Sequence, residues 1–184
     1  MQPAVPRYTT QGFPKYRYIP TVTPHPGIHP EGHSYGKKES PLTFMAPQEW
    51  KKNQAYLYGI DLFNHGYWWE AHEAWENVWL TTQKMDVYGQ FLQSLIQFSA
   101  ALLKLYSGSK NGFEKLYGEA DKRMKFCLQE IPGNHHHFMG LNIVEWMDRL
   151  NNFRKTAEDP RGEILDPLKY TNFPWIILEE KGHV

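Results

Sequence analysis

The chain has 184 residues, and its 20 basic and 20 acidic side chains give a formal net charge of zero. This balance offers no electrostatic argument for nucleic acid or an anionic membrane as a partner. The single cysteine, Cys127, excludes an internal disulfide and a cysteine-rich zinc site. The N-terminus lacks a signal-peptide pattern, and the longest apolar stretch is too short to span a bilayer, so we expect a cytoplasmic protein.

Residues 1–46 contain most of the prolines and are predicted to be an extended N-terminal arm. Disordered segments are usually poor in aromatic residues, whereas large apolar side chains occur throughout this one. We therefore expect the arm to pack on the body of the protein and to bury these side chains: Phe13, Tyr16, Tyr18, Ile19, Ile28, Tyr35 and Phe44.

Residues 47–158 are predicted to form a bundle of about five helices, and residues 159–184 a second extended arm. Apolar residues on nearly every side of the third helix make it the most enclosed of the five. The expected fold is all-α, a single domain with an arm at each end. The helices are expected at 47–65, 67–80, 87–107, 109–130 and 141–156.

The second helix contains an unusual mixture of tryptophans and ionisable side chains, including Glu70, His72, Glu73 and Glu76. At helical spacing His72 and Glu76 lie one turn apart, with Glu73 on the adjoining stripe. This spacing resembles the way zinc peptidases present two ligands, although Glu76 stands where those enzymes have a second histidine. A histidine with carboxylates also suits manganese or iron, so a divalent metal is the cofactor to test.

Polar residues elsewhere could complete such a site. Gln93 and Gln97 follow a stripe on the third helix and, with Glu70, could orient a ligand or hydrogen-bond the carboxylates. Prolines around His25 and His33 forbid a helix there, yet rigid turns could bring either imidazole to the metal as a further ligand. The run from His135 to His137 indicates adventitious nickel or zinc binding instead.

A structural explanation stands beside each of these interpretations. A network of Glu, His and Gln can lock the register of packed helices, with tryptophan indoles donating to carboxylates. The arm histidines can simply pack on aromatic rings. Asp61, Lys84 and Asp86 are predicted to lie on solvated helix faces.

The stretch from Phe63 to Trp79 resembles the signature of the domain of unknown function 309 family, which runs Phe-Asn, Gly, two aromatics, Glu-x-His-Glu, then Glu and Trp. The segment from Phe91 to Gln97 is similar to that family's second block, and the resemblance covers about residues 50–130. It implies a compact helical fold and no particular activity. His65 departs from the family pattern. The family's characteristic polar positions correspond to Glu70, His72, Glu73, Glu76, Gln93 and Gln97.

Two functions remain open from the sequence. In the first, a pocket between the second and third helices binds a small ligand or a divalent metal through His72 and Glu76, and Glu73 is a third ligand or the general base of a hydrolase-like enzyme. In the second, the protein is a non-catalytic scaffold or partner-binding module. The residues do not decide whether it is an enzyme, and they leave a homo-oligomer open.

Overall fold

The computed structural model describes residues 5–37, 40–132, 136–156 and 171–179. Within these ranges the protein is predominantly helical, which confirms the predicted fold class. A 3-10 helix precedes five α-helices, and a two-stranded antiparallel hairpin precedes the last of them. The elements are the 3-10 helix (Pro47–Lys52), α1 (Gln54–Asn64), α2 (Trp68–Trp79), α3 (Val87–Tyr106), α4 (Lys110–Glu130), β1 (His137–Phe138), β2 (Leu141–Asn142) and α5 (Ile143–Thr156).

The first predicted helix is two helices, because Asn53 interrupts it with a ψ of 88°. Its side chain accepts a hydrogen bond of 3.0 Å from the backbone N–H of Tyr56, which caps the start of α1. The hairpin was not expected from the sequence. Its turn contains Met139 and Gly140, both at positive φ, and the hydroxyl of Tyr56 donates to the carbonyl of Met139 at 3.0 Å.

Helix α3 packs between α2 and α4, and 14 of its 20 residues are buried. Helices α1 and α2 approach each other closely at Gly59, where a Cβ atom would overlap the indole of Trp75. That indole is fully buried and donates through Nε1 to the carbonyl of Tyr56 at 3.2 Å. The contact fixes how α2 sits against α1, and it therefore sets the position of the polar residues on α2.

Two buried polar residues of α1 hold the arms. Asp61 accepts hydrogen bonds from the backbone N–H groups of Tyr8 and Thr9, at 2.8 and 2.9 Å, and pairs with Arg7 at 3.2 Å. Asn64 both donates to and accepts from the backbone of Ile176. The prediction that Asp61 lies on a solvated face is wrong, because its carboxylate is fully buried. The backbone N–H groups of the arm donate to this carboxylate instead of to water.

The N-terminal arm buries only some of the side chains predicted to be buried. Phe13, Tyr16, Tyr18 and Ile19 are partly covered. Ile28, Tyr35 and Phe44 are exposed, so the prediction is wrong for these three. In the C-terminal part of the chain, residues 157–170 and 180–184 lie outside the described residues. Residues 173–178 pack against the core. None of the helices in the described ranges has the length and apolarity needed to cross a lipid bilayer.

Candidate metal centre

The polar residues of α2 divide between two environments. Glu70 points toward the arm and is buried, whereas His72, Glu73 and Glu76 lie along the side of the helix that reaches solvent. This division follows from helix geometry, since His72 and Glu76 are 200° and 240° around the helix from Glu70 at about 100° per residue.

Glu70 fastens the N-terminal arm to α2. Its Oε1 accepts a hydrogen bond of 2.9 Å from the backbone N–H of Tyr18 and lies 2.9 Å from Nε2 of His33. Its Oε2 is buried and has no hydrogen-bond partner in the described part of the chain. Burial raises the pKa of Glu70, and the hydrogen bonds from His33 and Tyr18 partly offset this rise.

His72, Glu73 and Glu76 bring three ligand atoms within 4.8 Å of one another. Nδ1 of His72 lies 3.3 Å from Oε1 of Glu73, although the two atoms are not aligned as a hydrogen bond. Nδ1 is therefore buried without a hydrogen-bond partner among the described residues, close to the carboxylate of Glu73. An unpartnered nitrogen in this position is available to a metal ion.

The separation of the three atoms is close to what one ion needs. Ligands at about 2.0–2.2 Å from a zinc ion can be at most roughly 4.4 Å apart. Small side-chain rotations would bring the outermost pair within this limit, and Glu73 is free to rotate because 47% of its side chain is exposed. One imidazole and two carboxylates form a ligand set that suits zinc, manganese or iron.

The stacking of His72 on Trp69 restricts the imidazole. The two rings are 5.5 Å apart and inclined by 23°. The other side of the site is open, because the side chain of His72 remains 23% exposed and that of Glu73 47% exposed. An ion held here would keep coordination positions for water or substrate.

The arm histidines predicted as further ligands lie elsewhere. His33 contacts Glu70, and its side chain is only 8% exposed. His25 packs against the rings of Tyr18 and Trp69, at 5.1 and 5.3 Å between centroids. Trp69 thus contacts both His25 and His72, but the group of potential metal ligands found in the described residues consists of His72, Glu73 and Glu76 alone.

The glutamines of α3 face a different partner from the one expected. Arg123 of α4 donates to Oε1 of Gln90 at 2.6 Å and to Oε1 of Gln97 at 3.1 Å. Gln93 is partly buried on the same helix. This role of Arg123 could not be predicted from the sequence, because Arg123 is one of many charged residues on α4. The amide oxygens that accept its hydrogen bonds are on another helix.

The indoles of α2 do not donate to its carboxylates. Trp75 donates to a backbone carbonyl, while Nε1 of Trp68 and of Trp79 have no hydrogen-bond partner within the described ranges. Lys84 lies over the ring of Trp79 at 4.1 Å from its centroid. The tryptophans therefore serve mainly as packing surfaces around α2.

Comparison with known proteins gives one result. Residues 56–116 match the family described as Domain of unknown function (DUF309), within the stretch that the motif comparison indicated. No curated protein and no solved structure matches the chain. The match includes most of α1, all of α2 and α3 and the start of α4, and with them His72, Glu73 and Glu76. This part of the chain is thus similar to a family whose description names no activity.

Proposed function

We propose that the protein binds a divalent transition-metal ion through His72, Glu73 and Glu76, and that the bound ion supports a hydrolase-like reaction. The observation that carries the proposal is the convergence of one ligand atom from each of the three residues within 4.8 Å. In addition, Nδ1 of His72 is buried and lacks a hydrogen-bond partner in the described residues. The ion would supply a Lewis acid and lower the pKa of a bound water.

Glu73 has two candidate roles in this proposal. It can be the third ligand, or it can accept a proton from a water while His72 and Glu76 hold the ion. Its exposed carboxylate and its 3.3 Å approach to His72 are compatible with both roles. Glu70 already binds the arm, and we propose that it holds α2 and the arm together without contributing to metal binding.

Elemental analysis by mass spectrometry tests metal binding. The protein should be purified without an affinity tag, added metal or chelator, and His135 and His136 should be replaced by Ala to remove adventitious binding. We expect close to one ion per chain, and its loss in a His72→Ala, Glu76→Ala variant. A Glu119→Ala variant is the matched control, because that glutamate is an exposed surface residue paired with Lys122.

The Glu73→Gln variant distinguishes the two roles of Glu73. If Glu73 is the general base, the variant should retain the ion, and the hydrolysis of ester, amide or phosphate test substrates that a chelator abolishes should fall by about 100-fold or more. If Glu73 is the third ligand, the variant should lose both the ion and the hydrolysis. An absence of metal in the parent protein and in all variants would favour the non-catalytic scaffold.

A further inference from the structure

A second constellation of reactive groups lies where the arm meets α2. Nε2 of His33 is 2.9 Å from Oε1 of Glu70, and Nδ1 of the same ring is 2.9 Å from Oγ of Ser34. One imidazole therefore bridges a hydroxyl and a carboxylate. None of these three residues belongs to the candidate metal centre.

The partners of the imidazole assign its proton. Oε1 of Glu70 already accepts a hydrogen bond from the backbone N–H of Tyr18, so Nε2 of His33 carries the hydrogen of the bond between the imidazole and this oxygen. Nδ1 of the neutral ring is then an acceptor, and the hydroxyl of Ser34 donates to it. Serine hydrolases activate their nucleophile through the same sequence of groups, a carboxylate, an imidazole and a hydroxyl. Here Nε2 faces the carboxylate and Nδ1 faces the hydroxyl, which is the reverse of the arrangement in those enzymes.

Burial decreases from the carboxylate to the hydroxyl. The side chains of Glu70 and His33 are 6% and 8% exposed, whereas Ser34 is half-buried and is followed by the exposed Tyr35. The carboxylate and the imidazole are thus shielded from water, while a substrate can approach the hydroxyl from the surface.

The turn that carries His33 and Ser34 is held by backbone hydrogen bonds from both residues. The backbone N–H of Ser34 donates to the carbonyl of Pro26 at 3.0 Å, and that of His33 donates to the hydroxyl of Tyr16 at 3.3 Å. A Cβ at Gly32 would overlap the carbonyl of Pro26, so glycine is what allows the turn to close so tightly. The hydroxyl and the imidazole are therefore held in place before a substrate arrives.

We propose that Ser34, His33 and Glu70 form a nucleophilic relay that accepts acyl groups from small esters. As Nδ1 of His33 takes the hydroxyl proton, Oγ of Ser34 bonds to the acyl carbon. The ester C–O bond then breaks, and His33 returns the proton to the leaving alcohol. Water repeats the same sequence, which releases the acid and restores Ser34. Glu70 is the positioning residue that holds the imidazole in the required tautomer.

Covalent labelling of the full chain with a fluorophosphonate tests the nucleophile, because its phosphorus bonds to an activated hydroxyl as fluoride leaves. Peptide mapping should place one adduct on Ser34 and none on the exposed Ser40, which serves as the control inside the same molecule. His33→Gln should slow labelling by about 100-fold or more, the usual contribution of a general base. Labelling of Ser34 no faster than of Ser40 would overturn the proposal.

A Tyr16→Phe variant separates activation from the shape of the turn. It keeps the ring that lies 4.9 Å from His33 and removes the hydroxyl that accepts from its backbone. We expect Tyr16→Phe to slow labelling far less than His33→Gln does, because the hydrogen bond from Ser34 to Pro26 still holds the turn, and melting temperatures check that the variant folds. If it slows labelling as much as His33→Gln, the hydroxyl is not activated by the imidazole and the proposal is wrong.

The ring tautomer supplies a test that needs no reagent. Nitrogen-15 NMR of His33 should show the Nε2–H form in the parent and a loss of that preference in Glu70→Ala, whereas the Nδ1–H form in the parent would contradict the relay. Labelling should also be unaffected by a chelator. Failure of the metal proposal therefore leaves this one intact, and the reverse also holds.

Discussion

Glu70 and Glu73 are separated by less than one turn of α2, yet their surroundings give them different chemistry. The side chain of Glu70 is 6% exposed and binds Tyr18 and His33, while that of Glu73 is 47% exposed beside His72. Burial penalises the charge of Glu70 and raises its pKa. The carboxylate of Glu73 is instead open to solvent, where a cation can reach it.

The raised pKa of Glu70 predicts the sign of a pH effect on stability. The native state binds this proton more tightly than the unfolded chain, whose glutamate titrates near 4.5. The stability that Glu70 contributes is therefore complete below that pH and is lost as the pH rises through the higher native pKa. Relative to Glu70→Gln, which does not titrate, the parent should lose free energy of unfolding across this window.

Chemical denaturation of both proteins from about pH 4 to pH 8, with a chelator present, measures this difference. Comparison of the two proteins cancels the titration of groups that do not interact with Glu70. A parent that gains stability relative to Glu70→Gln as the pH rises would show that the native state favours the charged carboxylate.

The candidate metal ligands could be predicted from the sequence, but the contacts of the arm could not. His72, Glu73 and Glu76 are neighbours on one helix, so their convergence follows from helical spacing alone. The bonds from Glu70 to Tyr18 and His33 join residues 52 and 37 positions apart. Helical periodicity carries no information about contacts between distant segments. For the same reason, the prediction that Asp61 lies on a solvated helix face was wrong.

At the scale of elements, the close approach of α1 and α2 determines where the site lies. Apolar periodicity predicted both helices, but it did not predict the break at Asn53, because one capping hydrogen bond to Tyr56 decides it. The hairpin before α5 was missed for a similar reason. Its strands have only two residues each, too few to show an alternating pattern.

Replacement of Gly59 by Ala tests the packing of α1 on α2. The added Cβ would overlap the indole of Trp75 and force the helices apart, which should lower the free energy of unfolding by about 1–3 kcal/mol. Gly118 in α4 is the matched control, since a Cβ there meets nothing within 4 Å. Gly118→Ala should raise stability by about 0.5–1 kcal/mol, because alanine favours helix.

Urea denaturation of the two variants and the parent gives the comparison. If the indole of Trp75 constrains α1, the two replacements change the free energy of unfolding in opposite directions. If Gly59→Ala is as stable as Gly118→Ala, the indole of Trp75 does not constrain α1, and the position of α2 must depend on other contacts.

At the scale of the whole molecule, three buried polar residues join the arms to the bundle. Asp61 and Glu70 bind backbone groups of the N-terminal arm, and Asn64 binds those of Ile176. Removal of any of them would leave buried backbone groups without partners, at about 1–3 kcal/mol for each. Helix α2 thus both anchors the arm through Glu70 and presents His72, Glu73 and Glu76 for metal binding.

Thermal unfolding with and without Mn²⁺ or Zn²⁺ tests most directly whether Glu70 anchors the arm while the other polar residues of α2 bind metal. The proteins to compare are the parent, Glu70→Ala and Glu76→Gln, all with His135 and His136 replaced by Ala. An ion at 100 times its dissociation constant stabilises a protein by about 2.7 kcal/mol, which is roughly 5–10 °C for a chain of this size. We predict that Glu70→Ala melts lower than the parent but keeps the rise caused by the ion. Glu76→Gln should melt near the parent without metal and lose that rise. A rise that persists in Glu76→Gln, or its absence in the parent, would contradict the account.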